Sequence, residues 1–292
     1  HARMWESRSH TFLEADFRYM TNGVAVLESP DGKLYRITPS ALVEKDRKYL
    51  ESLESPAEEA TDSPAIPVEG YSLAWSDEFN GTSLDTTKWN YRQLGPRKGG
   101  VNVRDAITLD GGGHLLITTT RHDSNTFHTG MIGTEGLFET TYGYFECRAK
   151  LQEEIGHWWA FWLQTPDMGE YIGNPASAGV EVDIVEYLRK RGDIVYHTIH
   201  WDGYGSSHKD DNSKPIIPGV STGWHTFGLL WTEEEYVFYV DGEMTWRTDA
   251  AVSQRKQYII LSIEIGEWAG DITKADLPDG VSVDYVRVYE KD

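Results

Sequence analysis

The chain has little cysteine, no long apolar run and few basic residues. Cys147 is the only cysteine among 292 residues, so no internal disulfide can form. It lies in a strand-like segment, and we expect a buried, unreactive thiol. No leader-like segment and no run of eighteen apolar residues is present, which predicts a soluble chain without membrane insertion. A chain of this length can bury a full hydrophobic core without disulfides.

Basic residues are outnumbered, with 27 Lys and Arg against 47 Asp and Glu and a formal net charge of −20. Such a surface repels polyanions, so we expect no nucleic-acid partner. Two local basic clusters remain, Arg92 with Arg97–Lys98 and Arg189–Lys190–Arg191. The chain is also rich in aromatic residues, with 11 Trp and 16 Tyr. Sugars stack on such rings, but Trp is also an ordinary core residue, so composition does not decide between the two roles.

The composition predicts two domains. Residues 55–70 are rich in Pro, Glu and small residues without periodicity, which is typical of a linker. The module over 1–54 has three short predicted strands and then a helix from Ala41 to about Leu53. The hairpin signals Asn22–Gly23 and Asp31–Gly32 separate the strands, which cover 11–17, 24–27 and 34–37.

The larger domain, residues 71–292, shows one strand pattern after another with Gly-rich turns between them. Many short strands at this spacing predict an all-β fold, a β-sandwich of the jelly-roll type. The predicted strands cover 115–120, 143–150, 158–163, 180–187, 194–201, 226–231, 236–240, 259–265 and 281–289.

One strand carries three carboxylates in the sequence Glu181-Val-Asp183-Ile-Val-Glu186. On a regular strand Glu181 and Asp183 share a face, and one extra residue, a β-bulge, returns Glu186 to that face. Three carboxylates on one face of an apolar strand repel each other and lose hydration, so a purely structural strand has little reason to carry them. One alternative is a solvated charged face, and the aromatic strands around the motif argue against it. The second is a carboxylate metal site, but no histidine or loop ligand set is interleaved with the motif as calcium would prefer.

The spacing also favours a reaction type. The Cα atoms of Glu181 and Glu186 should lie about 13 Å apart, which leaves roughly 5–6 Å between two carboxyl groups that lean inward. Retaining glycosidases need about 5–5.5 Å, whereas inverting enzymes need a wider gap for water. The motif therefore predicts hydrolysis by double displacement.

With these residues in place, 71–290 resembles glycoside hydrolase family 16, the family of laminarinases, lichenases and agarases with a concanavalin A-like fold. The resemblance extends through eight phrases in family order: Trp75–Gly81, Tyr142–Arg148, Gly156–Trp162, Glu181–Glu186, His197–Trp201, Trp224–Trp231, Phe238–Gly242 and Asp284–Tyr289. It implies a secreted endo-acting enzyme, extracellular or periplasmic, without a catalytic cofactor. We expect a monomer whose partner is a polysaccharide.

The resemblance also implies residue roles. Glu181 would be the nucleophile, Glu186 the general acid/base, and Asp183 a group that tunes the nucleophile. The substrate-binding candidates are Trp158, His200, Trp201 and Asn102. His200 would hydrogen-bond Glu186 or the substrate, or else be a satisfied core histidine. Trp159 stands where Pro is commonest in the family, which would reshape the cleft edge, and we expect Trp162 in the core. A structural Ca²⁺ would be bound by Asp284 and by backbone oxygens near Glu78 and Gly113.

Residues 1–54 resemble small Src-homology-three-like β-barrels, on Trp5, Glu14–Phe17, Asp31–Lys33 and the ending Leu42…Leu50. This resemblance implies a binding or attachment module. For the larger domain, the acidic surface favours a β-1,3- or mixed-linkage β-glucan. Three alternatives stay open: an agar- or carrageenan-type galactanase that uses the basic clusters, a transglycosylase, and an inactive lectin.

Overall fold

The computed structural model describes residues 3–21, 24–30, 33–54 and 66–292. The chain divides into two compact units, residues 1–65 and 66–292. The predicted hairpin turns Asn22–Gly23 and Asp31–Gly32 lie outside the described residues, as does most of the predicted linker over 55–70. In the described ranges no helix is long and apolar enough to cross a bilayer.

The first unit contains a four-stranded antiparallel sheet in the order β1-β2-β3-β4. Trp5 anchors its small core, and the indole Nε1 of this residue donates to the Ala15 carbonyl at 2.8 Å. Helix α1 begins three residues later than predicted, because a separate 3₁₀ turn over Pro39–Ala41 ends at the extended Leu42. The barrel resemblance stays a prediction. The elements are β1 Arg3–Glu6, β2 Phe12–Thr21, β3 Val24–Glu28, β4 Leu34–Ile37 and α1 Glu44–Glu54.

The described part of the second unit consists mainly of strands. One short helix, α2, spans Pro175–Ala178, and 3₁₀ turns span Arg104–Ala106, Arg189–Arg191, Glu267–Ala269 and Ile272–Lys274. The strands are β5 Tyr71–Asp77, β6 Asn90–Tyr91, β7 Gly95–Arg97, β8 Gly100–Asn102, β9 Ile107–Leu109, β10 Leu115–Arg121, β11 Phe127–Thr129, β12 Met131–Gly133, β13 Gly143–Lys150, β14 His157–Gln164, β15 Glu181–Tyr187, β16 Val195–Trp201, β17 Lys209–Ser213, β18 His225–Trp231, β19 Tyr236–Val240, β20 Glu243–Thr248, β21 Tyr258–Ile265 and β22 Asp279–Lys291.

These strands form the two sheets of a sandwich, which confirms the predicted all-β jelly-roll class. The larger sheet runs β20-β19-β18-β13-β22-β10-β11-β8-β7, with β5 beside β22 and β9 beside β10. The smaller sheet runs β17-β16-β15-β14-β21-β12-β6. Side chains from both sheets meet in one hydrophobic core, where Trp159 of β14 packs edge-on against Phe227 of β18 at 5.4 Å between ring centroids. This packing leaves the other face of the smaller sheet free for a site.

Alternation along β14 shows how the sequence separates core from site. Trp159, Phe161 and Leu163 are fully buried in the core, and the residues between them point to the opposite face. The nine strands predicted for this domain are all present, with ends that differ by at most two residues. The short strands β5 to β9, β11, β12, β17 and β20 were not predicted, since two to seven residues give little periodicity.

Cys147 lies on β13 with its side chain fully buried in the core. Burial raises the pKa of its thiol well above the ordinary value. The thiol therefore stays protonated at neutral pH, as the sequence predicts for an unreactive core cysteine.

Candidate active site

A cavity of about 530 Å³ opens on the outer face of the smaller sheet. Alternate side chains of three adjacent strands form its floor, because the intervening residues point into the core. Arg92, Arg97, Lys98 and Tyr204 contribute to its walls. The floor residues are Trp158, Ala160, Trp162 and Gln164 from β14, Glu181, Asp183 and Glu186 from β15, and Tyr258, Ser262 and Glu264 from β21.

The predicted bulge is present in β15. Asp183 pairs with Thr198 and Glu186 with Tyr196, so two residues of β15 oppose a single residue of β16. The ladder to β14 skips at the same place. Ile184 and Val185 therefore both turn into the core, and all three carboxylates reach the cavity.

Glu181 is held by two neutral donors. Its Oε2 accepts from the Gln164 side-chain amide at 2.8 Å and from the Tyr204 hydroxyl. Gln164 also donates to the Tyr204 oxygen at 2.7 Å, which fixes both donors relative to each other. Burial raises the pKa of Glu181, while the Tyr204 hydrogen bond and the nearby His200 and Lys98 oppose that rise. This carboxyl is thus the one whose surroundings best support the charged form.

Glu186 lies at the other end of the motif. Its Oε1 accepts a hydrogen bond from the Trp158 indole Nε1 at 3.1 Å. Burial first, and then the charges of Asp183 and Glu181, raise the pKa of Glu186 well above its usual range. The surroundings of Glu186 therefore favour its protonated form, as a general acid requires.

Asp183 lies between the two glutamates and contacts a histidine. Its Oδ2 is 3.3 Å from His200 Nε2, and that nitrogen is 3.9 Å from Glu181 Oε1. Burial and the neighbouring Glu181 raise the pKa of Asp183 well above the ordinary value. The structure thus brings His200 to the motif as predicted, but beside Asp183 and Glu181 and not beside Glu186.

One wall of the cavity carries basic side chains, and each of them is paired with a carboxylate of the protein. Arg97 and Lys98 both contact the carboxylate of Glu264, which is buried, with Arg97 Nε 2.7 Å from its Oε1. Arg92 pairs with Glu135 outside the cavity floor. The Lys98 ammonium lies 4.7 Å from the ring centroid of Trp158. This first predicted basic cluster therefore borders the cavity, whereas the cluster at Arg189–Arg191 lies on a 3₁₀ turn that does not line it.

Other residues predicted for the site divide into those that reach it and those that do not. Trp158 lines the cavity, and so does Trp162, which the sequence suggests as a core residue. Trp201 packs against the core, and Asn102 is buried on β8 outside the lining, so neither prediction of a substrate contact is supported by its position. Trp159 faces the core and does not shape the cleft edge.

Several lining residues were missed by sequence reasoning. Gln164 continues the alternation of Trp158, Ala160 and Trp162, so extending that strand by one residue would have found it. Glu264 is the one charged residue of β21, the same kind of signal that identified β15. Tyr204 sits in the turn that follows β16, where no periodicity points to the cavity.

The predicted calcium ligands do not fit a calcium ion in this arrangement. Asp284 Oδ2 accepts from the Arg148 guanidinium, and its Oδ1 lies 4.0 Å from His114 Nε2. Glu78 is bound by Arg287 through two hydrogen bonds of 3.0 and 2.8 Å. Calcium needs six to eight oxygen ligands, about 2.3–2.6 Å away, and here a cationic side chain already takes the one side-chain carboxylate in the predicted ligand set.

Comparison with known proteins points to one family. Residues 99–287 match the family described as "Glycosyl hydrolases family 16". A keratan-sulfate endo-1,4-beta-galactosidase of Sphingobacterium multivorum is 30% identical over 77% of this chain and 56% of its own length. A beta-glucanase of Rhodothermus marinus is 30% identical over 75% of this chain and 85% of its own length. The laminarinase structure from Flavobacterium sp. UMI-01 superposes with a TM-score of 0.64 at 26% identity, covering 75% of this chain and 100% of that one.

Proposed function

The chain belongs to glycosyl hydrolase family 16, and from this premise we propose that it is an endo-acting, retaining hydrolase of a β-linked polysaccharide. The observation that carries the proposal is the bulge in β15, which presents Glu181, Asp183 and Glu186 together to an open cavity. A binding groove has no use for three buried carboxyl groups that repel one another, so a lectin is the weaker interpretation.

In the first step, Glu181 attacks the anomeric carbon and Glu186 donates its proton to the departing glycosidic oxygen. The Tyr204 and Gln164 donors keep Glu181 charged and oriented for that attack. Burial and the two neighbouring carboxylates keep the proton on Glu186 until the leaving group takes it. The predicted gap of roughly 5–6 Å between the two carboxyl groups matches this geometry.

In the second step, water hydrolyses the glycosyl ester. Glu181 has no charge while it is esterified, so one of the charges that raise the pKa of Glu186 is removed. Glu186 then accepts the proton of the attacking water, and the β-configuration is restored. Asp183 remains between the two glutamates, with its Oδ2 3.3 Å from His200 Nε2.

We further propose that the substrate is a neutral β-glucan with β-1,3 or mixed linkages. The three basic side chains at the cavity are balanced by three carboxylates, since Glu264 pairs with Arg97 and Lys98, Glu135 pairs with Arg92, and Glu181 is charged in the proposed mechanism. With Glu186 protonated, the lining carries no excess of positive charge to attract a polyanion. The second candidate is a galactan hydrolase, which the mere presence of three basic side chains at the cavity favours.

Two variants test the chemistry. We expect Glu181→Gln to lose about 10³-fold or more in kcat with the fold intact. Glu186→Gln should lose as much on the polysaccharide but recover on an aryl glycoside whose leaving group needs no proton. Glu267→Gln, at an exposed glutamate outside the described site, is the matched control. Wild-type rates in both site variants would disprove the assignment.

Substrate and stereochemistry are measured separately. Reducing ends released from laminarin, mixed-linkage glucan, agarose, porphyran and κ-carrageenan identify the polymer, and we expect release from the first two. Proton NMR of the earliest product should show the β-anomer. An α-anomer at first turnover would exclude double displacement, and release only from agarose, porphyran or κ-carrageenan would select the galactanase candidate.

Three further proposals concern the setting of the enzyme. We propose that the protein acts outside the cytoplasm, because a long polysaccharide cannot cross a membrane to reach it; fractionation of the native cells tests this. We propose that residues 1–54 attach the enzyme to a surface or polymer, which a pull-down with the isolated polysaccharides tests. A monomer is expected, and light scattering of the purified chain measures it.

A further inference from the structure

The cluster beside the bulge holds three potential metal ligands. Within the described residues, one ligand atom from each of Glu181, Asp183 and His200 lies within 4.8 Å of the other two. Their side chains are 13%, 7% and 24% exposed, so the group is sheltered but reachable from the cavity. We propose that these three residues form an inhibitory binding site for a zinc-class divalent cation.

The geometry is the main support. Zinc binds imidazole nitrogen and carboxylate oxygen at about 2.0–2.2 Å, so two ligands of a tetrahedral ion lie about 3.4 Å apart. His200 Nε2 is 3.3 Å from Asp183 Oδ2 and 3.9 Å from Glu181 Oε1. Sub-ångström movements of side chains bring all three atoms to the ion. Water from the cavity, which Glu181 and Asp183 both line, would complete the coordination.

The outer contacts suit a metal site as well. His200 Nδ1 is 2.9 Å from His208 Nε2, the kind of second hydrogen bond that orients a metal-bound imidazole. Glu181 uses its Oε2 for Gln164 and Tyr204, which leaves Oε1 for the ion. In the tautomer of His200 that carries its hydrogen on Nδ1, this nitrogen donates to His208 Nε2, and His200 Nε2 offers its lone pair to the ion.

The chemistry of the ligand set selects the class of cation. An imidazole with two carboxylates suits zinc, cobalt, nickel or copper, whereas calcium and magnesium need more oxygen ligands than this cluster offers. A divalent ion also neutralises two carboxylates that otherwise repel each other in a buried place. Because Glu181 is the proposed nucleophile, a bound ion blocks the attack on the sugar, and substrate and metal compete.

Cobalt serves as a visible probe of the free, full-length protein. We expect one Co²⁺ per chain with the strong visible absorption of a tetrahedral site, displaced by Zn²⁺. Isothermal titration with Zn²⁺ should give affinities about tenfold or more weaker for His200→Gln and for His208→Gln. The control is His128→Gln, which disrupts the stacked surface pair His122–His128 and should leave the affinity unchanged.

Asp183→Asn keeps the shape of the site and removes one ligand, so it provides a second measurement if His200→Gln fails to fold. Equal Zn²⁺ binding in wild type, His200→Gln and Asp183→Asn would overturn the inference, as would wild type that binds no Co²⁺. These readouts do not depend on catalysis. Inhibition competitive with polysaccharide is the further expected result, and it rests on the proposed function. A protein that binds Zn²⁺ tightly but hydrolyses nothing would refute the proposed function alone.

Discussion

His197 is buried beside the bulge in β15, where the Ile184 carbonyl has no hydrogen-bond partner in the strand ladder. Its Nδ1 is 2.6 Å from the Ile184 carbonyl, and its Nε2 is 2.9 Å from the Thr245 hydroxyl on the other sheet. A carbonyl only accepts, so Nδ1 carries the hydrogen, and Nε2 of the neutral imidazole is an acceptor facing the Thr245 hydroxyl, which also lies 3.2 Å from the Phe238 carbonyl. The imidazole thereby holds the backbone at the residue that turns Glu186 toward the cavity.

Burial lowers the pKa of His197 from an ordinary value of 6.5 to about 4. Between pH 6.5 and about pH 4, this imidazole binds a proton in the unfolded chain but stays neutral in the folded chain. The free energy of unfolding therefore falls as the pH falls through this range. Between about pH 7 and about pH 4.5 the loss from this one group should be about 2 kcal/mol. The carboxyl groups of the site, whose pKa values are raised, act in the opposite direction.

The perturbation is His197→Gln, which keeps an N–H donor for the Ile184 carbonyl but cannot titrate. Urea unfolding of both proteins at the two pH values gives a double difference, in which the carboxyl contributions cancel. We expect the variant to lose about 2 kcal/mol less than wild type on acidification. A double difference near zero would refute the reasoning. A companion variant, His197→Phe, removes the donor, and should cost about 1–3 kcal/mol at neutral pH and lower kcat.

Two further predictions concern the cavity wall and a neighbouring turn. Tyr204→Phe removes one donor to Glu181, so the pKa of that carboxyl should rise, the acidic limb of kcat/KM should shift to higher pH, and activity should fall about tenfold. Gly156→Ala, at φ +89°, would place a Cβ 2.3 Å from backbone atoms, and urea unfolding should show a loss above about 3 kcal/mol. Gly219→Ala, at φ +88° with no atom within 4 Å, is the control and should cost about 1–2 kcal/mol.

The long strands and the catalytic motif could be predicted because both produce patterns among residues that are close in the sequence. Alternation of apolar residues identifies β14, β15 and β21, and the extra residue in Glu181–Glu186 predicts the bulge. The same rule places Trp159 in the core as soon as Trp158 is assigned to the cavity. The expectation that Trp159 shapes the cleft edge rested on its position in the family pattern. Alternation along β14 would have placed it in the core.

The walls of the cavity could not be predicted, because distant segments of the chain form them. Tyr204 reaches Glu181 from a turn, and Lys98 reaches Glu264 across 166 positions. No sequence period connects such pairs; only the closed sandwich brings them together. The substrate depends on these walls, which is why sequence alone leaves a glucan and a galactan open.

Arg148 stands against a calcium ion at Asp284, because its guanidinium donates a hydrogen bond to the Asp284 carboxylate. The same guanidinium lies 5.0 Å from the ring centroid of Trp224, and His114 stacks on that ring at 4.9 Å. These contacts hold Arg148 in place of a metal cation. We therefore predict that the stability of the protein does not respond to calcium.

The measurement is Tm with a chelator and with about 1 mM Ca²⁺. A site with a Kd near 10 μM would add about 2.7 kcal/mol at this concentration, or roughly 5–10 °C for a domain of this size. We expect a shift below about 1 °C in wild type. Arg148→Gln should lose stability without calcium and gain a calcium response, because it frees Asp284. A rise of several degrees in wild type, abolished in Asp284→Asn, would show that calcium displaces the arginine, and that the family's metal site survives in this chain.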